Sequence, residues 1–260
     1  MSLNPPITDW RGLRVWLIGA SSGIGEALAV ALAERGAMLA LSARRGDVLQ
    51  QVADRCREAR VLPLDVTQPG AAAQCWAQLC ADWGACDVVI VLAGTYQANA
   101  AVAMAEADLR ATIEVNLSGV MASVAVVLPA MVQRGRGHVA VVSSVAGYSG
   151  LPRASVYGAT KAGLINFAES LFLEARPRGV AVHLINPGFV STRLTAANDF
   201  AMPALIDPAA AAQAIVAGFA RGDFEMHFPA RFSRVLKCLR LLPYGLYFPL
   251  LRRLTGGAKS

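Results

Sequence analysis

Tyr157 and Lys161 are the pair in this sequence best suited to proton transfer. They begin a run with helical periodicity, and side chains four positions apart share one face of a helix. A lysine ammonium beside a phenol favours the phenolate and lowers the tyrosine pKa from about 10 towards the range of a general acid or base. Ser144 ends an apolar run 13 residues earlier, at the carboxyl end of a predicted strand, where open α/β sheets bind ligands. The pair alone also occurs on solvated helix surfaces, so the combination with Ser144 indicates catalysis.

A glycine motif, Gly19-Ala20-Ser21-Ser22-Gly23-Ile24-Gly25, lies between an apolar run and a run with helical periodicity. Glycines at such a position let the backbone turn tightly and approach a pyrophosphate, whose charge the helix N-terminus stabilises. The spacing is GxxxGxG and differs from the general GxGxxG fingerprint. A purely structural turn is the alternative, but the position at the start of a βαβ unit favours a nucleotide site.

The predicted second strand ends in Leu41-Ser42-Ala43-Arg44-Arg45, without an acidic residue. An NAD enzyme places an acid here, which accepts a hydrogen bond from the ribose 2′-hydroxyl and repels a 2′-phosphate. Arg44 and Arg45 can form charge-assisted bonds to that phosphate, with a hydroxyl from Ser22 or Ser42. We therefore expect NADP(H) rather than NAD(H). The alternative is that both arginines are solvated loop residues.

These motifs require a framework of alternating strands and helices. Apolar runs without polar alternation predict buried strands, and periodic runs between them predict helices. The predicted strands cover 13–18, 37–42, 60–64, 87–92, 138–143 and 180–185, and the predicted helices cover 23–35, 47–56, 68–83, 108–133, 157–175 and 208–221. This order predicts the α/β class, with a single Rossmann-type, doubly wound parallel sheet and helices on both faces. Residues 1–230 are expected to form one domain.

The composition excludes several other classes of protein. The chain has 260 residues, 55% of them hydrophobic and 16% charged, so it is neither disordered nor fibrous. The five cysteines form no CxxC pair and the three histidines are scattered, so we expect neither a disulfide framework nor a metal site. Residues 1–10 lack the pattern of a signal peptide, and the uncharged stretch 117–132 is too short to span a bilayer, so we expect a cytoplasmic protein.

The positive charge is concentrated in residues 231–260. Seven of the 24 basic residues and none of the 18 acidic residues lie there, which leaves the rest of the chain nearly neutral and argues against nucleic-acid binding. A basic amphipathic helix is predicted to end near Pro243, followed by an aromatic segment and Arg252-Arg253. This extension could associate peripherally with the inner face of a membrane. Alternatively, its apolar face covers the substrate entrance or contacts a partner subunit.

From about residue 13 to residue 228, the sequence resembles the short-chain dehydrogenase/reductase family. The resemblance rests on several motifs in the family's order, namely the glycine motif, Asp65-Val66, Ala93-Gly94, Asn116, Ser144, Tyr157, Lys161, Pro187-Gly188, Val190 and Thr192. It implies cofactor contacts by Gly19, Ser21, Ser22, Gly23, Ile24, Gly25, Asp65, Val66, Ala93, Gly94, Tyr157, Lys161, Pro187, Gly188, Val190 and Thr192, beside the two arginines Arg44 and Arg45.

The resemblance also implies a catalytic role for four residues. Tyr157 would exchange a proton with the substrate oxygen, and Lys161 would hold the nicotinamide ribose and depress the tyrosine pKa. Ser144 would donate a hydrogen bond to the substrate oxygen, and Asn116 would hold a water that links Lys161 to solvent. The sequence departs from the family in Val91-Leu92 before Ala93-Gly94, where two asparagines are common, and in Ile18, where threonine is usual. These changes affect side chains beside the adenosine.

The implied function is an NADP-dependent oxidoreductase that interconverts a carbonyl compound and its alcohol. The apolar segment 189–206 suits a mobile lid over an apolar or lipid-like substrate, although its side chains could equally pack the segment onto the body. The family usually forms homodimers through the helices that contain Asp108 and Tyr157. The alternative function is that of a catalytically silent NADP-binding protein, regulatory or membrane-associated, on the same fold. The substrate itself is not identified by the sequence.

Overall fold

The computed structural model describes residues 2–57, 59–96, 104–196 and 202–254. This part of the chain contains one seven-stranded parallel sheet with the order β3-β2-β1-β4-β5-β6-β7. The strands are β1 (Arg14–Ile18), β2 (Met38–Ser42), β3 (Arg60–Val61), β4 (Val88–Val91), β5 (Gly137–Val142), β6 (Val180–Pro187) and β7 (Glu225–Phe228). Because the strand order reverses between β1 and β4, a crevice forms at their carboxyl ends.

Helices cover both faces of this sheet. They are α1 (Gly23–Ala33), α2 (Gly46–Ala53), α3 (Ala71–Trp83), α4 (Glu106–Ile113), α5 (Gly119–Arg134), α6 (Ser155–Ala175), α7 (Pro208–Arg221), α8 (Ala230–Arg240) and α9 (Tyr244–Leu254). Side chains alternate along a strand, so Leu17 packs with α1 and α7 on one face, whereas Trp16 packs with α3, α5 and α6 on the other. The predicted fold class is confirmed.

The structure differs from the predicted elements in three places. The predicted helix 108–133 is a longer helical run, in which a π-helical turn (Glu114–Ser118) joins α4 to α5. Strand β7 was not predicted because its four residues alternate between buried and half-buried positions at the edge of the sheet. Helix α9 was not predicted because Gly245 and Pro249 interrupt its sequence, and both residue types disfavour the interior of a helix.

The helical run Glu106–Arg134 is, in the described part of the chain, the one helix long and apolar enough to cross a membrane by length and composition alone. Its buried side chains Val120, Val124, Val127 and Met131 pack against the sheet in one of the two cores. This packing is that of a core helix, as predicted for residues 117–132.

Helices α8 and α9 fold back onto the body next to the loop that follows β5. Leu236 and Leu239 of α8 and Tyr247 and Leu251 of α9 are buried together with Val145 and Tyr148 of that loop, which begins with a short 3-10 turn (Val145–Gly147). The extension therefore has one apolar face that covers part of the body beside Ser144.

Candidate active site

The glycine motif forms a tight turn between β1 and α1. Gly19 has φ = +105°, and a Cβ at this position would lie 2.7 Å from the backbone nitrogen of Ala93. A Cβ on Gly25 would lie 2.2 Å from the carbonyl oxygen of Gly19, so side chains are excluded from both positions. Ser22 is the N-cap residue of α1, and its side chain makes no capping hydrogen bond. The N-terminus of α1 thus offers N–H groups and a hydroxyl to an anion.

The segment after β6 reaches this turn from the other side of the crevice. A Cβ on Gly23 would lie 2.8 Å from Cγ2 of Thr192, so the threonine packs directly on the glycine motif. Val190 is buried and forms a single β-bridge with Ile206, which closes the base of the predicted lid. Within the lid, Leu194 is exposed, whereas residues 197–201, including Asp199 and Phe200 of the predicted lid, lie outside the described residues.

The end of β2 presents two arginines to solvent. Arg44 and Arg45 are exposed, and neither forms an ion pair with another described residue. Ser42 cannot donate the expected hydrogen bond to a 2′-phosphate, because its side chain is fully buried. Its Oγ accepts a hydrogen bond from Nε1 of Trp16 at 2.9 Å. That expectation was wrong because successive strand side chains point to opposite faces, and position 42 shares the core face of Trp16. Ser22 remains as the candidate hydroxyl.

Asp65, after β3, is held as a carboxylate. Its Oδ1 accepts hydrogen bonds from the backbone N–H of Thr67 at 2.9 Å and from the Thr67 hydroxyl at 2.8 Å. Burial by itself raises the pKa of Asp65, but these two bonds and the charge of Arg44 outweigh it, so the pKa is lowered. Arg44 therefore lies close enough to Asp65 to feel its charge while keeping its guanidinium exposed.

Tyr157, Lys161 and Ser144 meet at the carboxyl end of β5. Nζ of Lys161 lies 5.6 Å from the centroid of the Tyr157 ring and donates a hydrogen bond to the carbonyl of Val142 at 3.1 Å. Ser144 follows β5 with extended backbone, and its Oγ accepts a hydrogen bond from the N–H of Ala146 at 3.1 Å. The first turns of α6 thus place the phenol and the ammonium beside the serine hydroxyl.

The pKa values at this site are governed by burial. Burial raises the pKa of Tyr157 to about 12, although a hydrogen bond with Ser144 lowers it, and burial lowers the pKa of Lys161 to about 8. The expected depression of the tyrosine pKa by Lys161 is therefore not found. The physical reason is that the phenolate and the ammonium both lose solvation at this site, and for Tyr157 this cost outweighs the attraction of the nearby ammonium. Tyr157 consequently carries its proton at neutral pH.

Asn116 lies in the π-helical turn between α4 and α5. Its Oδ1 accepts a hydrogen bond from the N–H of Thr95 at 2.7 Å, and its Nδ2 donates to the Thr95 carbonyl at 2.8 Å. A Cβ on Gly94 would be 3.6 Å from both Oδ1 of Asn116 and Nζ of Lys161, so all three groups meet at this glycine. Asn116 therefore holds the loop after β4 through its two hydrogen bonds with Thr95. The expected water that links Lys161 to solvent stays a prediction. A π turn of this kind is frequent at functional sites.

Two aromatic neighbours, Tyr96 and Phe232, were not among the predicted site residues. The ring of Tyr96 packs edge-on against Tyr157, with 4.9 Å between centroids. The ring of Phe189 packs against that of Phe232 in α8, with 5.8 Å between centroids. A Cβ on Gly188 would lie 3.2 Å from Cδ1 of Phe232. The position of Tyr96, two residues after Gly94, was a signal available in the sequence. Phe232 had no such signal, because its contact with Gly188 depends on how the extension folds back.

Comparison with known proteins supports the same reading of these motifs. The protein family described as short chain dehydrogenase matches residues 14–201. An uncharacterized oxidoreductase of Myxococcus xanthus (strain DK1622) is 39% identical over 240 residues, which are 91% of this chain and 95% of the relative. The 3-oxoacyl-[acyl-carrier-protein] reductase of Escherichia coli (strain K12) is 33% identical over 190 residues, 73% of this chain and 78% of that protein.

Among solved structures, a short-chain dehydrogenase from Sphingobium yanoikuyae in complex with NADPH superimposes with a TM-score of 0.78. It is 30% identical in sequence, and the alignment covers 86% of this chain and 92% of that chain. The similarity therefore includes both the sheet and the helices that carry the site.

Proposed function

Because this chain belongs to the short-chain dehydrogenase/reductase family of oxidoreductases, we propose that it interconverts a ketone or aldehyde and the corresponding alcohol, with NADP(H) as cofactor and Tyr157 as general acid and base. The observation that supports this most directly is the arrangement of Tyr157, Lys161 and Ser144 at the end of β5. The chemistry needs a proton donor, a group that stabilises the resulting anion and a donor to the substrate oxygen, and these three side chains supply them.

The residues around the crevice fit a dinucleotide. The glycine turn excludes side chains, the N-terminus of α1 offers N–H groups and the Ser22 hydroxyl, and Arg44 offers an exposed guanidinium at the end of β2. Lys161 is oriented by the Val142 carbonyl and can hold the nicotinamide ribose. Bound NADPH would supply the hydride for reduction, and NADP would accept it for oxidation.

Proton transfer would follow from the protonation states of the site. In the direction of reduction, Ser144 donates a hydrogen bond to the carbonyl oxygen and Tyr157 gives its hydroxyl proton to that oxygen. The phenolate that remains would be stabilised by the hydrogen bond with Ser144, which lowers the tyrosine pKa, and by the Lys161 ammonium, whose Nζ lies 5.6 Å from the ring centroid. In the direction of oxidation, the phenolate takes the alcohol proton. Since the Tyr157 pKa is about 12, neutral pH favours the form that donates the proton.

We propose an apolar substrate of moderate size. Tyr96 lies against Tyr157, and Leu194 and Leu205 of the lid are exposed, so the lid can offer apolar side chains to a substrate. The Escherichia coli relative is named as a reductase of 3-oxoacyl groups, which are carbonyls on an acyl chain. A homodimer formed through the outer faces of α4, α5 and α6 is part of the proposal, and Met121 on α5 is an exposed apolar side chain there.

The proposal is tested by following NADPH absorbance with ketones and aldehydes of graded chain length. We expect turnover of apolar carbonyls and a loss of roughly 10²- to 10⁴-fold in kcat for Tyr157→Phe, with NADPH binding retained. Tyr244→Phe, on the exposed side of α9, is the matched control and should keep full activity. Full turnover by Tyr157→Phe would remove the mechanism. NADPH binding by the wild type without turnover of any carbonyl would favour the catalytically silent alternative.

A further inference from the structure

The α8–α9 hairpin carries an unusual share of the exposed apolar side chains. Twelve large hydrophobic side chains are exposed in the described part of the chain, and six of them lie in this hairpin. We call these six the outer patch, consisting of Val235, Leu241, Tyr244, Leu246, Phe248 and Leu250. The buried residues of the hairpin, such as Tyr247 and Leu251, face the body instead. The outer patch is therefore additional to the apolar face that seats the hairpin.

The charged side chains of the α8–α9 hairpin are all basic. Arg231, Arg234, Arg252 and Arg253 are exposed, and none of them forms an ion pair with another described residue. The two other basic residues of the hairpin are engaged at its inner side, where Lys237 pairs with Glu225 and Arg240 donates to the Tyr148 carbonyl. No acidic residue occurs after position 230, so the hairpin itself supplies no carboxylate to neutralise these four charges.

The geometry suits a surface rather than a membrane span. Helix α9 has 11 residues and a length of roughly 16 Å, about half the hydrocarbon thickness of a bilayer. The rings of Tyr244 and Phe248 are stacked with centroids 5.4 Å apart, and both are more than half exposed. Aromatic rings beside arginines are typical of helices that lie in the interface between lipid headgroups and acyl chains.

We propose that the outer patch docks this protein on an anionic lipid surface, with the aromatic and leucine side chains in the interfacial layer and the four arginines against lipid phosphates. A second copy of the chain is a poorer occupant. A symmetric contact brings the same patch together twice, which would face arginines against arginines with no acidic residue of the hairpin to compensate. An anionic lipid surface supplies both an apolar layer and the complementary charge.

Sedimentation with vesicles tests the proposal with the full chain, and it requires no turnover. We expect binding to phosphatidylcholine vesicles that contain 30% phosphatidylglycerol, weaker binding to pure phosphatidylcholine, and release by salt. Arg252→Gln/Arg253→Gln should lower the partition coefficient on the anionic vesicles roughly 30-fold. Tyr244→Ser/Phe248→Ser should lower binding to both kinds of vesicle. Tyr247 and Leu251 are left intact in these variants so that the hairpin stays seated.

Matched controls separate the patch from general charge and hydrophobicity. Arg57→Gln/Arg136→Gln removes two exposed charges from the body, and Leu173→Ser removes an exposed leucine from α6, so both should bind as the wild type does. Negligible binding by the wild type, or equal losses in the patch and control variants, would overturn the proposal. Wild-type self-association that Tyr244→Ser/Phe248→Ser abolishes, without vesicle binding, would assign the patch to a contact between copies and also overturn it.

Discussion

The hydroxyl of Tyr148 donates a hydrogen bond to Oε1 of Glu225 at 2.6 Å, and this bond joins the loop after Ser144 to the last strand of the sheet. The same oxygen accepts from Nδ2 of Asn186 at 2.8 Å, and Lys237 of α8 forms an ion pair with the other oxygen. Glu225 thus connects β6, β7, α8 and the loop that carries the serine. Burial raises its pKa, but these three partners outweigh burial, so the pKa is lowered and the carboxylate form is held.

Glu225 is therefore expected to act as a positioning residue for the loop. Glu225→Ala leaves Tyr148, Asn186 and Lys237 without their partner and should lower the free energy of unfolding by about 1–3 kcal/mol, measured by urea denaturation. It should also lower kcat more than it raises the KM for NADPH, because Ser144 is displaced while the glycine turn is untouched. Glu225→Gln keeps an oxygen for Tyr148 and Asn186, so it should restore most of kcat. Equal kcat losses in both variants would contradict the positioning role.

Lys161 should set the pH dependence of carbonyl reduction. Its pKa of about 8 means that it is an ammonium below pH 8 and a neutral amine above, whereas Tyr157 keeps its proton throughout this range. Since the ammonium stabilises the phenolate formed in the reaction, kcat/KM should be constant below about pH 8 and fall above it. Lys161→Met should lower kcat/KM roughly 100-fold or more and abolish the break. A wild-type profile that stays level to pH 10 would be incompatible with this role.

Arg44 should determine the preference between the two nicotinamide cofactors. Arg44→Gln removes a charge that can bind the 2′-phosphate, so we expect the dissociation constant for NADPH to rise roughly 10- to 100-fold. Binding of NADH, which lacks that phosphate, should change little. Titration of protein fluorescence measures both constants, with Arg57→Gln as a control that removes an exposed arginine elsewhere. A wild-type protein that binds NADH more tightly than NADPH would refute the assignment.

A buried histidine pair should make the fold sensitive to acid. Nδ1 of His183 lies 2.7 Å from the Asp223 carbonyl, which can only accept, so Nδ1 carries the proton and Nε2 accepts from Nδ1 of His138 at 3.0 Å. Burial is the main cause that lowers the pKa of His138 to about 4 and that of His183 to about 3. Both rings are thus neutral in the folded protein, and each gains a proton more readily when the chain unfolds.

These pKa values determine how the free energy of unfolding changes with pH. The contribution of the two neutral histidines to the free energy of unfolding is fully present above the unfolded histidine pKa of about 6.5. It is lost as the pH falls towards 4. Urea denaturation at pH 7, 6, 5 and 4 should show this loss, and His138→Leu should make the decline less steep because one of the two groups no longer titrates. Parallel declines in the two proteins would assign the acid sensitivity to other groups.

Local features of the sequence were enough to predict much of the site. The four-residue spacing of Tyr157 and Lys161 and the glycine motif depend on the geometry of one helix and one turn, and the structure brings these residues to the crevice as expected. The order of strands and helices likewise follows from short-range hydrophobic patterns, and the predicted parallel sheet is confirmed.

Other properties depend on contacts between residues far apart in the chain. Ser42 was one of two candidate hydroxyls for the 2′-phosphate, with Ser22 as the other, but the face of β2 on which it lies places it against Trp16 in the core. The predicted direction of the Tyr157 pKa shift was also wrong. The sequence shows that a lysine is near the tyrosine, but it does not show how completely the surroundings of α6 remove water from Tyr157 and Lys161.

The sequence by itself thus determined the family, the parallel α/β sheet and the residues of the candidate site, because these follow from residue types at short spacings. Only the tertiary structure decided how burial sets their protonation, that Glu225 ties Tyr148 to Lys237, and which side of the basic extension stays exposed. The physical reason is that solvation and pairing depend on the three-dimensional surroundings of a group. Here the loop after β5 meets β7 across 77 positions of the chain and α8 across 92 positions.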